Sequence, residues 1–481
     1  MMTIHVEERL DIPLCVDLDG TLVHSDTLWE SLLILIKDKP LMIFAIMLWI
    51  IKGRAYFKAE VAKRVTLNPN DLAYNDTVVA FVRDAYDKGR NTVLVTGAHR
   101  DVANAVASHL GIFKNIMASN QTVNNTGTAK RDALLAAYGE NNFDYMGNSR
   151  ADIPSFDVSS KVTVVSPDRA AARWHKNNTS DLMEGPSENL KVMIKAIRPH
   201  QWLKNVLVAV PLILTHEISN LALWLAVVIA FYSFSFMAGA VYLLNDMLDL
   251  ASDRAHPRKC KRPLASGQLS IPHALVMIAV LSATAIALAL FVSVDFFVIL
   301  LGYAVMTTLY SFWLKKKLLI DVFTLAGLFT TRIIAGTIAV GTTHSYWLLA
   351  FSLFFFLSLA MVKRYSELLK EQVENVSTTA GRGYMQIDFE MIGQAGISSS
   401  FSASLVLALY IDYQSSLGNY ASPYLLWPLC PIILFLLLRI WILARRGFME
   451  DDPLVFLLQD WRSQCICVIG GLFVLLAAMG I

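Results

Sequence analysis

The chain is short of charge. Only 17% of its 481 residues are Asp, Glu, Lys or Arg, against a typical value of about 25%, while 55% are hydrophobic. Those two fractions exclude a disordered or highly solvated protein and point to a lipid bilayer. A basic excess is also missing. The formal net charge is +2, too little for a nucleic-acid partner to be expected. Cysteine is scarce: Cys15, Cys260, Cys430, Cys465 and Cys467 show no CxxC and no Cys/His spacing. This excludes a zinc ribbon or a disulfide scaffold and fits a reduced, cytosol-facing and membrane-buried protein. The start, MMTIHVEERLDIP, is polar and acidic, so no secretory signal is expected and the N-terminal part is placed in the cytosol. Before residue 198 there is one long apolar run, 31–51, and Lys37, Asp38, Lys39 and Pro40 interrupt it. A charge at a helix centre costs about 2.5–3.5 kcal/mol on insertion scales. The run therefore reads as a helical cap resting on the membrane surface.

What is present falls into two halves. Up to about residue 170, β-branched runs at 13–16, 92–95, 144–146 and 162–165 read as buried strands, with helices at 101–110 and 130–138 between them. Strands alternating with helices imply a parallel α/β sheet. The polar stretch 167–189 reads as a linker. The expected domains are 1–170, with a cap at about 26–90, a linker at 171–190, and 191–481. The last part carries candidate spans at 203–215, 221–244, 272–291, 294–313, 318–341, 346–362, 397–412, 423–443 and 464–481, about nine transmembrane helices. Lys and Arg crowd 191–204, 254–262, 315–317, 363–382 and 444–462 and are missing from the alternate connections. That asymmetry predicts a multi-pass inner-membrane protein with its N-terminus and basic loops in the cytosol and its C-terminus outside.

The first cluster with chemistry is Asp17-Leu18-Asp19-Gly20-Thr21-Leu22, directly after the strand at 13–16. At a strand's end Asp17 and Asp19 point the same way. Two carboxylates so placed repel unless a hard divalent ion such as Mg²⁺ joins them. Val93-Leu94-Val95-Thr96, Lys130 at a helix start and Gly147-Asn148-Ser149-Arg150-Ala151-Asp152 follow in order. Together these segments resemble the haloacid-dehalogenase-like (HAD-like) phosphatases, over about the first 170 residues. The resemblance implies a Rossmann-like parallel sheet with a helical cap. It implies that Asp17 attacks phosphorus, that Asp19 serves as acid and base, that Thr96 and Lys130 hold phosphoryl oxygens, and that Asp152 joins Asp17 and Asp19 around Mg²⁺. Asn148 stands where that family has an acid, which removes a charge from the metal site.

The second cluster is Asn245-Asp246-Met247-Leu248-Asp249-Leu250-Ala251-Ser252-Asp253, at the cytosolic end of the second candidate span. Spacings of three and four collect Asp246, Asp249 and Asp253 on one helical face, with Asn245 four before Asp249. Acids at membrane depth are rare and functional, and Mg²⁺ bridging to a diphosphate relieves their repulsion. Asn245, Asp249 and Asp253 are the expected metal ligands. Arg258, Lys261 and Arg262 follow, in a loop ending Arg262-Pro263-Leu264-Ala265-Ser266-Gly267, and metal plus bases make a polyanion site. NDxxDxxxD, RPLASG and the helix count resemble the UbiA superfamily of membrane transferases, over roughly 190–481.

Many members of that superfamily carry a second acidic motif after the sixth helix. Here Met361-Val362-Lys363-Arg364-Tyr365-Ser366-Glu367-Leu368 replaces it with bases. This segment, with Arg198-Pro199-His200-Gln201-Trp202-Leu203-Lys204-Asn205, the 310–321 stretch YSFWLKKKLLID and Arg332 inside an apolar helix, is similar to the decaprenyl-phosphate phosphoribosyltransferase branch. That implies phosphoribosyl diphosphate as donor and a polyprenyl phosphate lipid as acceptor, with Lys204, Arg332, Lys363 and Arg364 as candidate phosphate clamps. Asp321 is placed either to bind substrate or to cap its helix, and Glu367 to orient Lys363. The fused phosphatase would then remove the 5-phosphate of the product. The alternative is prenyl transfer from a prenyl diphosphate to an aromatic acceptor, with a silent or regulatory N-terminal domain.

Overall fold

In the computed structural model, which describes residues 10–186, 188–215, 217, 219–343, 345–374, 383–416, 420–449 and 452–479, the run Leu14–Val16 forms the strand β1. The remaining strands are β2 (Thr92–His99), β3 (Asn115–Ser119), β4 (Asp144–Gly147), β5 (Lys161–Val165) and β6 (Asp181–Met183). All pair in parallel, in the order β3-β2-β1-β4-β5-β6. Leu14 aligns with Thr92 on one side and Asp144 on the other. Helices connect them: α1 (Thr27–Asp38), α2 (Met42–Ile51), α3 (Arg54–Ala62), α4 (Asp76–Asp87), α5 (Arg100–Leu110), α6 (Thr128–Tyr138), α7 (Ile153–Phe156) and α8 (Arg169–Asn177). Because strand side chains alternate, Leu14 and Val16 pack with Val78, Val82 and Val106 on one face. Cys15 packs with Val93, Val95, Leu134 and Tyr145 on the other. A sheet covered on both faces explains the uninterrupted apolar strands. This is the HAD-like, Rossmann-like arrangement that the motifs imply.

Two strands escape a reading of apolar runs. β3 is only partly buried, and β6 is a three-residue edge strand with one buried residue. Both lie at the sheet's edges, and their apolar runs of three and two residues are too short to mark a buried strand. The stretch 167–189, expected as a linker, therefore carries both α8 and β6. Asp168 starts α8, its carboxylate accepting from the backbone of Ala170 and Ala171 at 2.8 Å. The apolar run 31–51 becomes α1 and α2, separated at 39–41. At ten residues, α2 is about 15 Å long, half of what a bilayer core of about 30 Å requires.

The chain divides into two compact units. The first consists of 1–196 together with Leu243–Val276. The second consists of Ile197–Tyr242 and Met277–Ile481. Among the described residues eight helices are long and apolar enough to cross a membrane: Leu221–Leu248, Ile271–Val292, Val294–Phe312, Ile320–Val340, Tyr346–Gln372, Gln386–Ser416, Pro423–Arg445 and Trp461–Met479. The chain is a multi-pass membrane protein. The count is one below the expected nine because 203–215 does not form a span. Pro199 opens a 3₁₀ helix, Pro199–Ala209, and Pro211 sits in the first turn of the five-residue helix Val210–Leu214. Proline supplies no backbone donor, so the two pieces do not merge into one α-helix. Of the expected basic loop 363–382, residues 363–374 continue the helix Tyr346–Glu374, and 375–382 lie outside the described residues. Residues 480 and 481 of the last expected span lie outside them as well.

Below the sheet, Arg90 donates to the Ile12 carbonyl at 2.7 Å and to the Asp144 carboxylate at 2.5 Å, with both side chains buried. Removing one member of a buried pair strands the other's charge. Arg90→Ala is expected to destabilise the N-terminal fold by about 3–5 kcal/mol, read as a lower thermal transition of the purified full chain.

Candidate active sites

The carboxyl end of β1 delivers Asp17. Its backbone N–H donates to the Met146 carbonyl at 3.0 Å, locking the end of β1 to β4. Gly20 then turns with φ +76°, and a Cβ there would meet the Asn148 amide nitrogen at 2.0 Å. Glycine is required both for the left-handed turn and for this close approach. The turn returns the chain so that Asp19 accepts from the backbone of Thr27, the first residue of α1, at 2.8 Å. Opposite lies Lys130 of α6. Its ammonium donates to Asp17 at 2.8 Å, to Asp152 at 2.9 Å and to the Tyr145 hydroxyl at 3.0 Å, all buried. Burial pushes the Asp17 carboxyl up to about 7 against the pull of Lys130. Burial, reinforced by Asp26, pushes Asp19 up to about 8. Burial works against the Lys130 ammonium, but Asp152 and Asp17 hold it well above its usual range.

The structure thus brings together Asp17, Asp19, Lys130 and Asn148, all lining one cavity of about 380 Å³. Thr96 is buried on β2 and its hydroxyl accepts from the backbone of Ala98 at 2.9 Å. Asp152 departs from expectation. One of its oxygens takes Lys130 and the Tyr145 hydroxyl, and the other takes the backbone of Asn148 and Ser149 and the Ser149 hydroxyl. With both oxygens so occupied, Asp152 anchors Lys130 and the turn and is not placed as a metal ligand. Asp17, Asp19 and the Asn148 amide oxygen are the donors that fit Mg²⁺, an all-oxygen set. Lys58 of α3, which nothing in the sequence pattern marks, also lines this cavity, donating to the Gly97 carbonyl at 2.6 Å and to Asn124 at 3.0 Å.

The Asp-rich segment also lies in the first unit. The helix Leu221–Leu248 ends and Asp249, with φ −103° and ψ 15°, starts a new one, Leu250–Ala255. Asp246 and Asp253, seven apart, both reach one guanidinium nitrogen of Arg262, at 3.1 and 2.5 Å. Both are buried. Asp249 sits at the break and pairs elsewhere, accepting from Lys37 of α1 at 3.0 Å. The expected stack of three acids on one face is therefore a pair plus an outlier, because the helix does not run through Asp249. Two carboxylates meeting at a single cationic nitrogen have the geometry to share one metal ion, which fits Mg²⁺ with substrate oxygens completing its shell. Among the described residues no three His, Cys, Asp or Glu side chains converge as a ready cage. Asn245 is half-buried one residue before Asp246, and Arg258 and Lys261 are exposed.

The remaining candidates lie in the second unit. Arg332 is buried in the helix Ile320–Val340. It donates to the Asn205 side-chain oxygen at 2.8 Å, the Leu328 carbonyl at 2.6 Å and the Tyr303 hydroxyl at 3.1 Å. Lys204 and Lys363 share Asp452, at 2.6 and 3.5 Å. Asp452 is a residue the sequence reading missed; its signal is an acid directly before proline, and it starts the helix Pro453–Gln459. Arg364 does not stand ready as a clamp. It is fully buried between Asp321 and Glu367, with the Tyr310 hydroxyl at 3.1 Å. Asp321, held by Arg364 and the Tyr384 hydroxyl, is accordingly a structural anchor. Glu367 serves Arg364, where Lys363 was the expected partner.

A parallel α/β fold with a buried carboxylate site and eight helices able to cross a membrane define a multi-pass membrane protein with a fused α/β domain. The profile of the UbiA prenyltransferase family matches residues 206–459. The chain belongs to that family. The uncharacterized protein y4nM of Sinorhizobium fredii is 33% identical over 456 residues, 94% of this chain and 88% of its own. A decaprenyl-phosphate phosphoribosyltransferase of Corynebacterium glutamicum is 40% identical over 190 residues, 38% of this chain and 57% of its own. A solved UbiA homologue of Archaeoglobus fulgidus, bound to DMAPP and Mg²⁺, aligns over 60% of this chain and 99% of its own, with 18% identity and a TM-score of 0.46.

Asn148 offers an amide where a carboxylate would add charge. Asn148→Asp is expected to tighten Mg²⁺ binding at the Asp17 site about tenfold, since ligand charge sets affinity for hard cations. Calorimetric titration of the full chain would measure it.

Proposed function

We propose that this chain transfers a phosphoribosyl group from phosphoribosyl diphosphate to a polyprenyl phosphate, and that its N-terminal domain then removes the 5-phosphate. An oxygen of the lipid phosphate bonds to the anomeric carbon, and the bond from that carbon to the diphosphate breaks. Diphosphate leaves as the second product. Mg²⁺ held by Asp246 and Asp253, when bound, would stabilise the leaving charge. Arg262 supplies a cation within that pair, and Asn245 directly precedes Asp246 in the chain. The observation that carries the donor assignment is Arg332: among the described residues it donates its hydrogen bonds to neutral oxygens, yet its charge is buried, and buried charges need a counter-ion. A substrate phosphate supplies one. Lys204 and Lys363, joined at Asp452, are the cations for the second phosphate. The kinship with proteins named decaprenyl-phosphate phosphoribosyltransferases supports the same donor and acceptor.

At the N-terminal site, Asp17 attacks the phosphorus of the 5-phosphate, and the ribose oxygen leaves with a proton from Asp19. Water, deprotonated by Asp19, then attacks the aspartyl-phosphate and frees inorganic phosphate. Burial, reinforced by Asp26, raises the Asp19 carboxyl, the direction that a general acid needs. Lys130 holds the phosphoryl oxygens beside Asp17. The positive-inside bias of the basic connections supports a cytosolic side for both sites.

Purified chain offered phosphoribosyl diphosphate with polyprenyl phosphate, and separately a prenyl diphosphate with an aromatic acid, decides the donor. Product is expected from the first pair only, and Arg332→Ala is expected to lower kcat/KM about 100-fold or more. Prenylation of the aromatic acid would overturn the assignment. Asp17→Asn is expected to abolish phosphate release while leaving diphosphate release intact.

A further inference from the structure

The cavity over Asp17 is not walled by the N-terminal fold alone. Its far side is built by Leu250, Leu264, Leu269, Ile271 and Pro272, residues that follow the Asp-rich motif. Ile271 and Pro272 open the helix Ile271–Val292, which is apolar and long enough to cross a membrane. The cavity is therefore two-faced. Asp17, Asp19, Lys58 and Lys130 supply polar groups from the N-terminal fold, and the segment after the Asp-rich motif adds Arg254 and Ser270 together with the aliphatic side chains that lead into the membrane-capable helix Ile271–Val292.

Three contacts hold that wall and the residues just before it in place. Arg254 donates to both oxygens of Glu30 on α1, at 2.9 and 2.7 Å, to the Asp71 carbonyl at 2.6 Å and to the Ala265 carbonyl at 3.1 Å. A bidentate, buried pair of this kind fixes geometry as well as position. Gly267, with φ +72°, lets the wall lie against His24, where a Cβ would come within 2.3 Å of the His24 Cβ. Seven residues after Glu30 on the same face of α1, Lys37 takes Asp249 and the Leu248 carbonyl at 3.0 and 2.7 Å.

We propose that the segment 250–272 is the specificity wall of the phosphatase, and that the site takes an amphiphilic phosphomonoester: one borne on a membrane lipid, with its phosphate at Asp17 and its apolar part along the wall. This rests on the phosphatase reading given above. Glu30, which does not line the cavity, acts as a positioning residue for the wall through Arg254.

The test uses the full chain reconstituted in vesicles, comparing hydrolysis of ribose 5-phosphate in solution with that of lipid-linked phosphoribose in the same bilayer. The lipid-borne ester is expected to have a kcat/KM at least about tenfold higher. Glu30→Gln is expected to raise KM for the lipid-borne ester about tenfold, leaving kcat for it and the rate on ribose 5-phosphate within about twofold, and Glu30→Asp is expected to restore most of the loss. Gly267→Ala should reproduce the lipid-specific loss through the wall's other contact. Equal rates on the two esters, or equal losses on both in these variants, would overturn the proposal while leaving the phosphatase standing. Absence of any Asp17-dependent hydrolysis would overturn both.

Discussion

Two buried carboxylates share one monovalent cation at each candidate centre. Lys130 lies between Asp17 and Asp152, and Arg262 lies between Asp246 and Asp253. Each arrangement keeps an acid pair buried that would otherwise be untenable, and each leaves it net negative. A site of that kind is poised for a further cation, and a divalent one with oxygen preference suits the donors present. The same constraint orders the local backbone: β1 must end where Lys130 can reach it, and Arg262 must fold back across the Asp-rich segment.

The second unit shows the opposite imbalance. Asp321 and Glu367 neutralise Arg364, and Asp452 answers two lysines, while Arg332 is held by neutral oxygens. In the proposed reaction a substrate phosphate answers the charge of Arg332, since acidic clusters gather metal and basic ones gather phosphate.

Much of this was legible in the sequence because it rests on local rules. β1, β2, β4 and β5 announce themselves as short apolar runs, and DLDGTL sits where a strand must end. The eight long apolar helices follow from length and hydropathy alone. What was not legible depends on contacts distant in sequence. Asp152 carries a metal ligand's position in its motif, yet the neighbours that occupy both its oxygens are set by the fold. Asp249 has the right helical spacing, but the helix breaks at that residue, which spacing cannot reveal. Arg364 looked like a free base because Asp321, 43 positions away, and Glu367 are brought to it only by packing. β6 and α8 were hidden because the stretch 167–189 reads as a linker and the apolar run of β6 is only two residues long.

The central claim is that the Asp17–Asp19 site and the Asp246–Asp253 pair each hold a separate metal ion. Mn²⁺ binding to the full chain, counted by electron paramagnetic resonance, tests it most directly. Two ions per chain are expected, with Asp17→Asn losing one and Asp253→Asn losing the other. A single ion unaffected by Asp253→Asn, or no ion lost in either variant, would contradict the account.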